Sequence, residues 1–193
     1  MSITTNGKNA MLGALALERL SLHTAFPGQT GANEVTGGSY ARQTVTFGAA
    51  SAGTRSMSAA ANVPVPAVTV AWVGVWNAGG TVFAAYSPNG GDPREFQVDT
   101  AADTVRSPGH GLTEGKTITF YGDTVPSPLS EGAVYFARDV TTDTFRVSSS
   151  AGGSVIDLTT AGGSACVVSP ITLDVYGGSG SHQIANWSIG LPN

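Results

Sequence analysis

Residues 67–78, AVTVAWVGVWNA, constrain the fold most. The stretch is almost wholly apolar and rich in β-branched and aromatic side chains, so it predicts a central strand. Gly79 and Gly80 follow it, and TVFAAYS (81–87) comes next, which reads as a hairpin with a glycine turn. Trp72 and Trp76 are an even number of residues apart and so share one strand face. Core packing is the ordinary reading of that face; an exposed platform of Trp72, Trp76 and Tyr86 for a sugar ring is the other.

Other segments share the strand grammar. Residues 20–26, LSLHTAF, and 40–48, YARQTVTFG, alternate with period two and predict half-buried strands. Between them lies a long polar loop containing Gly28, Gly31, Gly37 and Gly38, with Glu34 its one carboxylate. A single stretch, NGKNAMLGALALER at 6–19, predicts a helix; Ala10, Met11, Leu12, Ala14, Leu15 and Leu17 supply its apolar face and Asn6 or Asn9 its cap.

The turn-rich PNGGDPRE at 88–95 marks a change in composition. Beyond it, DTAADTVRS (99–107) and DVTTDTFRVS (139–148) share the pattern Asp-x-x-x-Asp-Thr-(Val/Phe)-Arg, each a polar turn delivering a strand. GKTITFYG (115–122) and GAVYFARDV (132–140) are strand-like too, and strands return after residue 160. The expected fold is mainly β: a β-sandwich-like domain with one N-terminal helix plus a small inserted or appended β module. The expected domains are 1–92, with 169–193 available to complete it, and a module at 93–168.

Charge narrows the function. Only 11% of residues are charged, against about 25% in ordinary domains. The nine basic residues are scattered, which disfavours a nucleic-acid groove. Interface cores are depleted in charge, so the composition is compatible with surface covered by neighbouring subunits. No apolar run approaches the ~20 residues of a membrane span, so no membrane insertion is expected. No signal-peptide cleavage pattern follows the apolar NAMLGALALERL, and synthesis in a cytoplasm is expected.

No catalytic or metal set stands out. His23, His110 and His182 are far apart in sequence, and Cys166, in SACVVS, reads as a buried thiol. Glu34, Asp92, Glu95, Glu114, Glu131 and Asp174 could in principle pair as in a glycosidase, but most stand beside Gly or Pro, where turns place acids. Asp99/Asp103 and Asp139/Asp143 lack the glycine and terminal glutamate of a dedicated Ca²⁺ loop. GSGSH (178–182) lacks the strand-to-helix setting of a nucleophile, and the sequon NWS (186–188) means little without secretion. No cofactor is expected.

Residues 22–51, LHTAFPGQTGANEVTGGSYARQTVTFGAAS, resemble a family of tailed-bacteriophage virion proteins of the tail fibre and minor tail type. The preceding NAMLGAL and the following VPVPAVTVAWVGVW and GGTVFAAYSP continue the likeness in order, over about residues 8–87. Residues 96–168 are similar instead to a β module of phage structural proteins, through GHGL and YFARDVTTDTFRVS. The resemblance implies a non-enzymatic virion component, tail-associated and assembled as a symmetric oligomer, with a trimer the natural guess. Capsid decoration or a head fibre is the alternative, and a carbohydrate-binding adhesion module another. Implied partners are copies of itself, other tail or capsid proteins and a host-surface glycan. Glu34 and Arg42 are expected to pair across the base of an ordered loop. The candidate assembly contacts are Pro27, Gly31, Asn33, Glu34, Gly37, Tyr40 and Arg42.

Overall fold

The computed structural model describes residues 3–191. The protein is mainly β and β-sandwich-like, with one helix and antiparallel sheets. It divides into two compact units: residues 1–87 with 174–193, and residues 88–173.

The first unit begins with α1 (Thr5–Ala14), then β1 (Leu17–His23), β2 (Gln43–Thr44), β3 (Thr54–Ser56), β4 (Ala61–Val65), β5 (Val68–Val70), β6 (Trp72–Asn77) and β7 (Phe83–Pro88). The second unit contains β8 (Gln97–Asp99), β9 (Thr104–Arg106), β10 (Thr117–Tyr121), β11 (Val134–Arg138), β12 (Thr144–Ser148) and β13 (Val167–Pro170). The chain then returns to the first unit for β14 (Asp174–Tyr176), β15 (Gly180–Ile184) and β16 (Ser188–Gly190).

One layer of the first unit is a four-stranded sheet ordered β2-β1-β6-β7. The pairs Leu20–Val75 and Leu22–Val73 set the register of β1 against β6. These four residues face a core completed by Val63, Val65, Val70 and Ile184 from the other layer. In that layer β14, β15 and β16 run back antiparallel along β5, β4 and β3 in turn. Strands separated by the whole second unit therefore supply half of its backbone pairing.

Three local expectations are corrected. The helix stops at Ala14, not at residue 19, because Leu17–His23 joins the ladder with β6. Thr4 is its cap, accepting from Gly7 N at 3.2 Å; Asn9 instead accepts from Gly53 N at 2.9 Å. Leu12 is buried, while Met11 and Leu15 are exposed. The apolar run 67–78 is two strands rather than one. At Ala71 the chain changes partner, from β14 beside β5 to β1 beside β6, and Ala71 N donates to His23 O at 2.9 Å. The strand expected over 40–48 shortens to β2, followed by a single bridge between Phe47 and Met57.

In the second unit six strands are ordered β13-β10-β11-β12-β9-β8. Two hydrogen bonds between Arg94 and Val168, 2.8 and 3.0 Å long, join its two edges, so the sheet closes as a small barrel. Val105, Ile118, Phe120, Ala137, Phe145 and Val147 fill the interior. The ends of the unit meet each other: Thr172 N donates to Asn89 O at 2.8 Å, and Asn89 Nδ2 to Thr172 O at 3.1 Å.

Candidate functional site: a polar loop locked over an aromatic sheet face

Alternation along β1 and β6 gives the four-stranded sheet a second face. Leu20 and Leu22 point into the sandwich core, so Ser21 and His23 point away from it. Trp72, Gly74 and Trp76 lie beside them on β6. Phe26, Phe83 and Tyr86 join this face: Phe26 meets Trp72 and Tyr86 edge-on, and Phe83 packs against Trp76 at 4.9 Å between centroids. Such a face cannot be left to water, and the polar loop after β1 covers part of it.

A hydrogen-bond chain ties the loop down. Trp76 Nε1–H donates to Ser21 Oγ at 2.9 Å, and Ser21 Oγ lies 2.8 Å from His23 Nε2. His23 Nδ1 is 2.7 Å from the loop carbonyl of Ala32. A carbonyl only accepts, so Nδ1 carries the proton and Nε2 accepts from the Ser21 hydroxyl. A neutral imidazole thus satisfies every polar group in the chain. Burial accordingly holds the His23 pKa below its ordinary value, against the opposing pull of the Ala32 carbonyl and Glu34.

A second lock sits at the loop base. Glu34 bridges to His23 as a strand continuation, and Val35 N donates to Leu22 O at 2.9 Å. Arg42 grips Glu34 with two parallel bonds, Nε to Oε1 at 2.9 Å and Nη2 to Oε2 at 2.8 Å. Its third arm, Nη1, donates to Gly80 O at 2.8 Å in the β6–β7 turn. The guanidinium lies over Trp76, 3.6 Å from the ring centroid. Tyr40 OH donates to Glu34 Oε1 at 2.9 Å and accepts from Leu22 N at 3.1 Å. Burial, the largest cause, raises the Tyr40 pKa, and the hydrogen bonds that Arg42 donates to Glu34 raise that of Arg42.

The expected site residues therefore separate by role. Glu34, Tyr40 and Arg42 come together as the lock. Pro27 and Gly31 are buried, Gly31 against the rings of Trp76 and Phe83. Asn33 and Gly37 are exposed, although the Asn33 amide turns back to Phe26 O at 2.7 Å. The proposed glycan platform does not form: Trp72 is 1% and Trp76 8% exposed, and Tyr86 is half-buried between Phe26 and Phe83, so neither indole presents a ring face to a sugar. Ser21 and the carbonyls of Ala32 and Gly80 were not among the expected site residues. The Ser21–His23 spacing, in phase with Trp72 and Trp76, was the available signal.

Elsewhere the expected chemistry resolves into structure. Asp99 Oδ1 accepts from Ala101 N at 3.0 Å, Asp103 Oδ1 from Leu158 N at 2.9 Å and Asp143 Oδ1 from Gly109 N at 2.9 Å. His110 accepts from Leu112 N at 2.9 Å within its glycine turn. Burial pushes the Cys166 thiol up to about 11. His182 is buried, 3.1 Å from Tyr176 OH and 3.5 Å from Asp174. Burial lowers its pKa despite that carboxylate. No described helix is long and apolar enough to cross a membrane.

The buried His23 and His182 make acid unfavourable. Their folded pKa values lie below the unfolded value of about 6.5, so the unfolded chain binds more protons in acid. Their contribution is complete above about 6.5 and falls away as pH drops below it. Urea midpoints followed by tryptophan fluorescence should decline between about pH 7 and 5.5, before most carboxylates titrate. The His23 ring resonances should still report a neutral imidazole at the point where a free histidine is half protonated. A flat stability profile, or an ordinary His23 titration, would rule this out.

Residues 18–87 match the family described as Podophage GP4 fiber I protein gp80. Over that stretch the chain is similar to a family of tailed-phage fibre-type structural proteins. The match spans both locks and the aromatic face; β14–β16 and the second unit lie outside it. No curated protein and no solved structure matches the chain.

Proposed function

We propose that the chain is a non-enzymatic, tail-associated fibre component of a tailed-phage virion that assembles as a symmetric oligomer. The observation that carries this reading is the family match over residues 18–87, the stretch that builds the loop and both of its locks. Pro27, Gly31, Glu34, Tyr40 and Arg42 shape the loop from inside. Its exposed, uncharged crown, including Asn33, Thr36, Gly37 and Ser39, is the surface offered to neighbouring subunits. Small neutral groups are inexpensive to desolvate and allow close backbone approach, as a repeated subunit contact requires. Its partners are copies of itself and neighbouring tail proteins.

Light scattering at micromolar concentration should show a single oligomer larger than the monomer. Thr36→Lys with Ser39→Lys should dissociate it and leave the tryptophan fluorescence of the folded unit unchanged. A monomeric parent chain would exclude self-assembly. Gold-labelled antibody on intact particles tests placement: label on tail fibres or tip agrees with the proposal, and label over the head would make the chain a capsid decoration protein.

A further inference from the structure

The barrel of the second unit carries the sequence repeat further than its motif. The Thr-(Val/Phe)-Arg segments of the two copies are β9 and β12, which lie side by side and antiparallel with Val105 opposite Phe145. Each of these residues follows the threonine of its copy, so equivalent positions face one another across a local two-fold axis. The same axis maps β8 onto β11 and β13 onto β10. Ile118 of β10 faces Tyr135 of β11, and Val168 of β13 faces Arg94 just before β8. The unit is two equivalent halves, β8–β9–β10 and β11–β12–β13, each a hairpin followed by a strand that lies beside the hairpin of the other half.

The symmetry fails in one place. Beyond Tyr135, Ala137 donates to Lys116 O at 2.9 Å and accepts from Gly115 N at 2.8 Å. The counterpart of Ala137 is Phe96, which stands two residues after Arg94 as Ala137 stands two after Tyr135. Its partners would be Ala165 and Cys166. Cys166 N donates to Gly163 O at 3.2 Å, as Lys116 N does to Thr113 O at 3.0 Å in the other half, but Gly163 N is drawn to Thr124 O at 2.6 Å, and this segment turns away. A cleft of about 420 Å³ opens between residues 95–98 and the small residues Ala161–Ser164. Arg94 sends both its N–H and its C=O toward β13. The period of an extended chain sends those of Phe96 and Val98 the same way, into the cleft.

An open ladder of this kind is a template for another strand. Its surroundings select for charge. Glu95 and Asp99 are exposed along β8, and the Asp123 carboxylate lies against Gly163 on the opposite wall. Arg94 is engaged by Asp92 at 3.2 Å, and Arg106 lines a neighbouring hollow with Pro108. We propose that this cleft accepts an extended, lysine- or arginine-bearing strand of another polypeptide, which adds to β8 through the main-chain groups of Phe96 and Val98. The chain's own Gly115–Phe120 segment, carrying Lys116, fills the equivalent ladder in the other half and shows the form such a strand takes.

The probe is therefore the blocked peptide GKTITF, added to the full-length protein, with GETITF as its charge-reversed counterpart. Amide exchange by NMR should slow about tenfold or more at Phe96 and Val98 with GKTITF and stay unchanged at Arg94. GETITF should bind at least about tenfold more weakly, and Glu95→Lys in the protein should narrow or invert that preference. No protection at millimolar peptide, or equal binding of the two peptides, would overturn the proposal. So would protection that appears on concentrating the protein alone, since a second copy would then be the occupant.

Discussion

Replacing Gly31 with valine should lower the stability of the first unit by about 3 kcal/mol, among the larger effects a single substitution produces. Two causes act together. Gly31 has φ +72°, where a β-branched residue is strained. A Cβ there would also overlap the Trp76 ring and press on Phe83. The Trp76 ring cannot retreat, because it is held by Ser21 on one side and by the Arg42 guanidinium on the other. All three tryptophans, Trp72, Trp76 and Trp187, belong to the first unit, so urea unfolding followed by their fluorescence reports that unit alone. Gly31→Ala should fall between valine and the parent. A loss under about 1 kcal/mol for the valine variant would mean that the loop does not rest on the aromatic face.

Arg42→Ala should cost about 2 kcal/mol by the same measurement. It removes the two-pronged grip on Glu34, the bond to Gly80 O and the cover over Trp76, and leaves the Glu34 carboxylate unpaired. The side chains of Arg42 and Glu34 are 26% and 18% exposed, so the value belongs below the 3–5 kcal/mol of a fully buried broken pair. Arg42→Lys should recover little, since an ammonium cannot make the fork or stack flat on an indole. Combining Arg42→Ala with Glu34→Gln should cost less than the sum of the two, the mark of a direct pairing. Strict additivity would show that the pair contributes only through separate contacts.

The sequence makes the sheet faces legible and hides the partners. Period two placed Trp72 with Trp76 and separated His23 from Leu22, and the structure uses both facts. The Glu34–Arg42 pair was likewise readable, as opposite charges flanking a glycine-rich turn. The division of 67–78 into β5 and β6 was not. It follows from the arrival of β14, whose residues lie about a hundred positions later, and no local pattern announces a strand from that distance. β3 and β4 were missed for the same reason, and β4 contains Pro64 besides. A proline is tolerated there because β4 pairs on one side only, with β15. The helix was drawn too long because Leu15 and Leu17 extend its apolar spacing, while the pairing of Leu17 with Asn77 takes the chain into the sheet. The hydrogen-bond chain through Ser21 needed the Ala32 carbonyl, and a backbone group leaves no trace in composition.

The return of the chain to the first unit sets an order of events during synthesis. Residues 1–87 leave the ribosome without the strands that flank β3, β4 and β5, and cannot complete their sandwich until residue 190 has been made. The barrel comes out in between and is whole within its own stretch, with Asn89 and Thr172 holding its two ends together. Once it folds, the distance β14 must search for β5 is no longer that of a long flexible loop but of a closed one, and most of the entropy of bringing them together has already been spent. The inserted barrel thereby acts as an internal clamp on the late step. A mutation that loosens it should delay closure of a layer to which it contributes no strand.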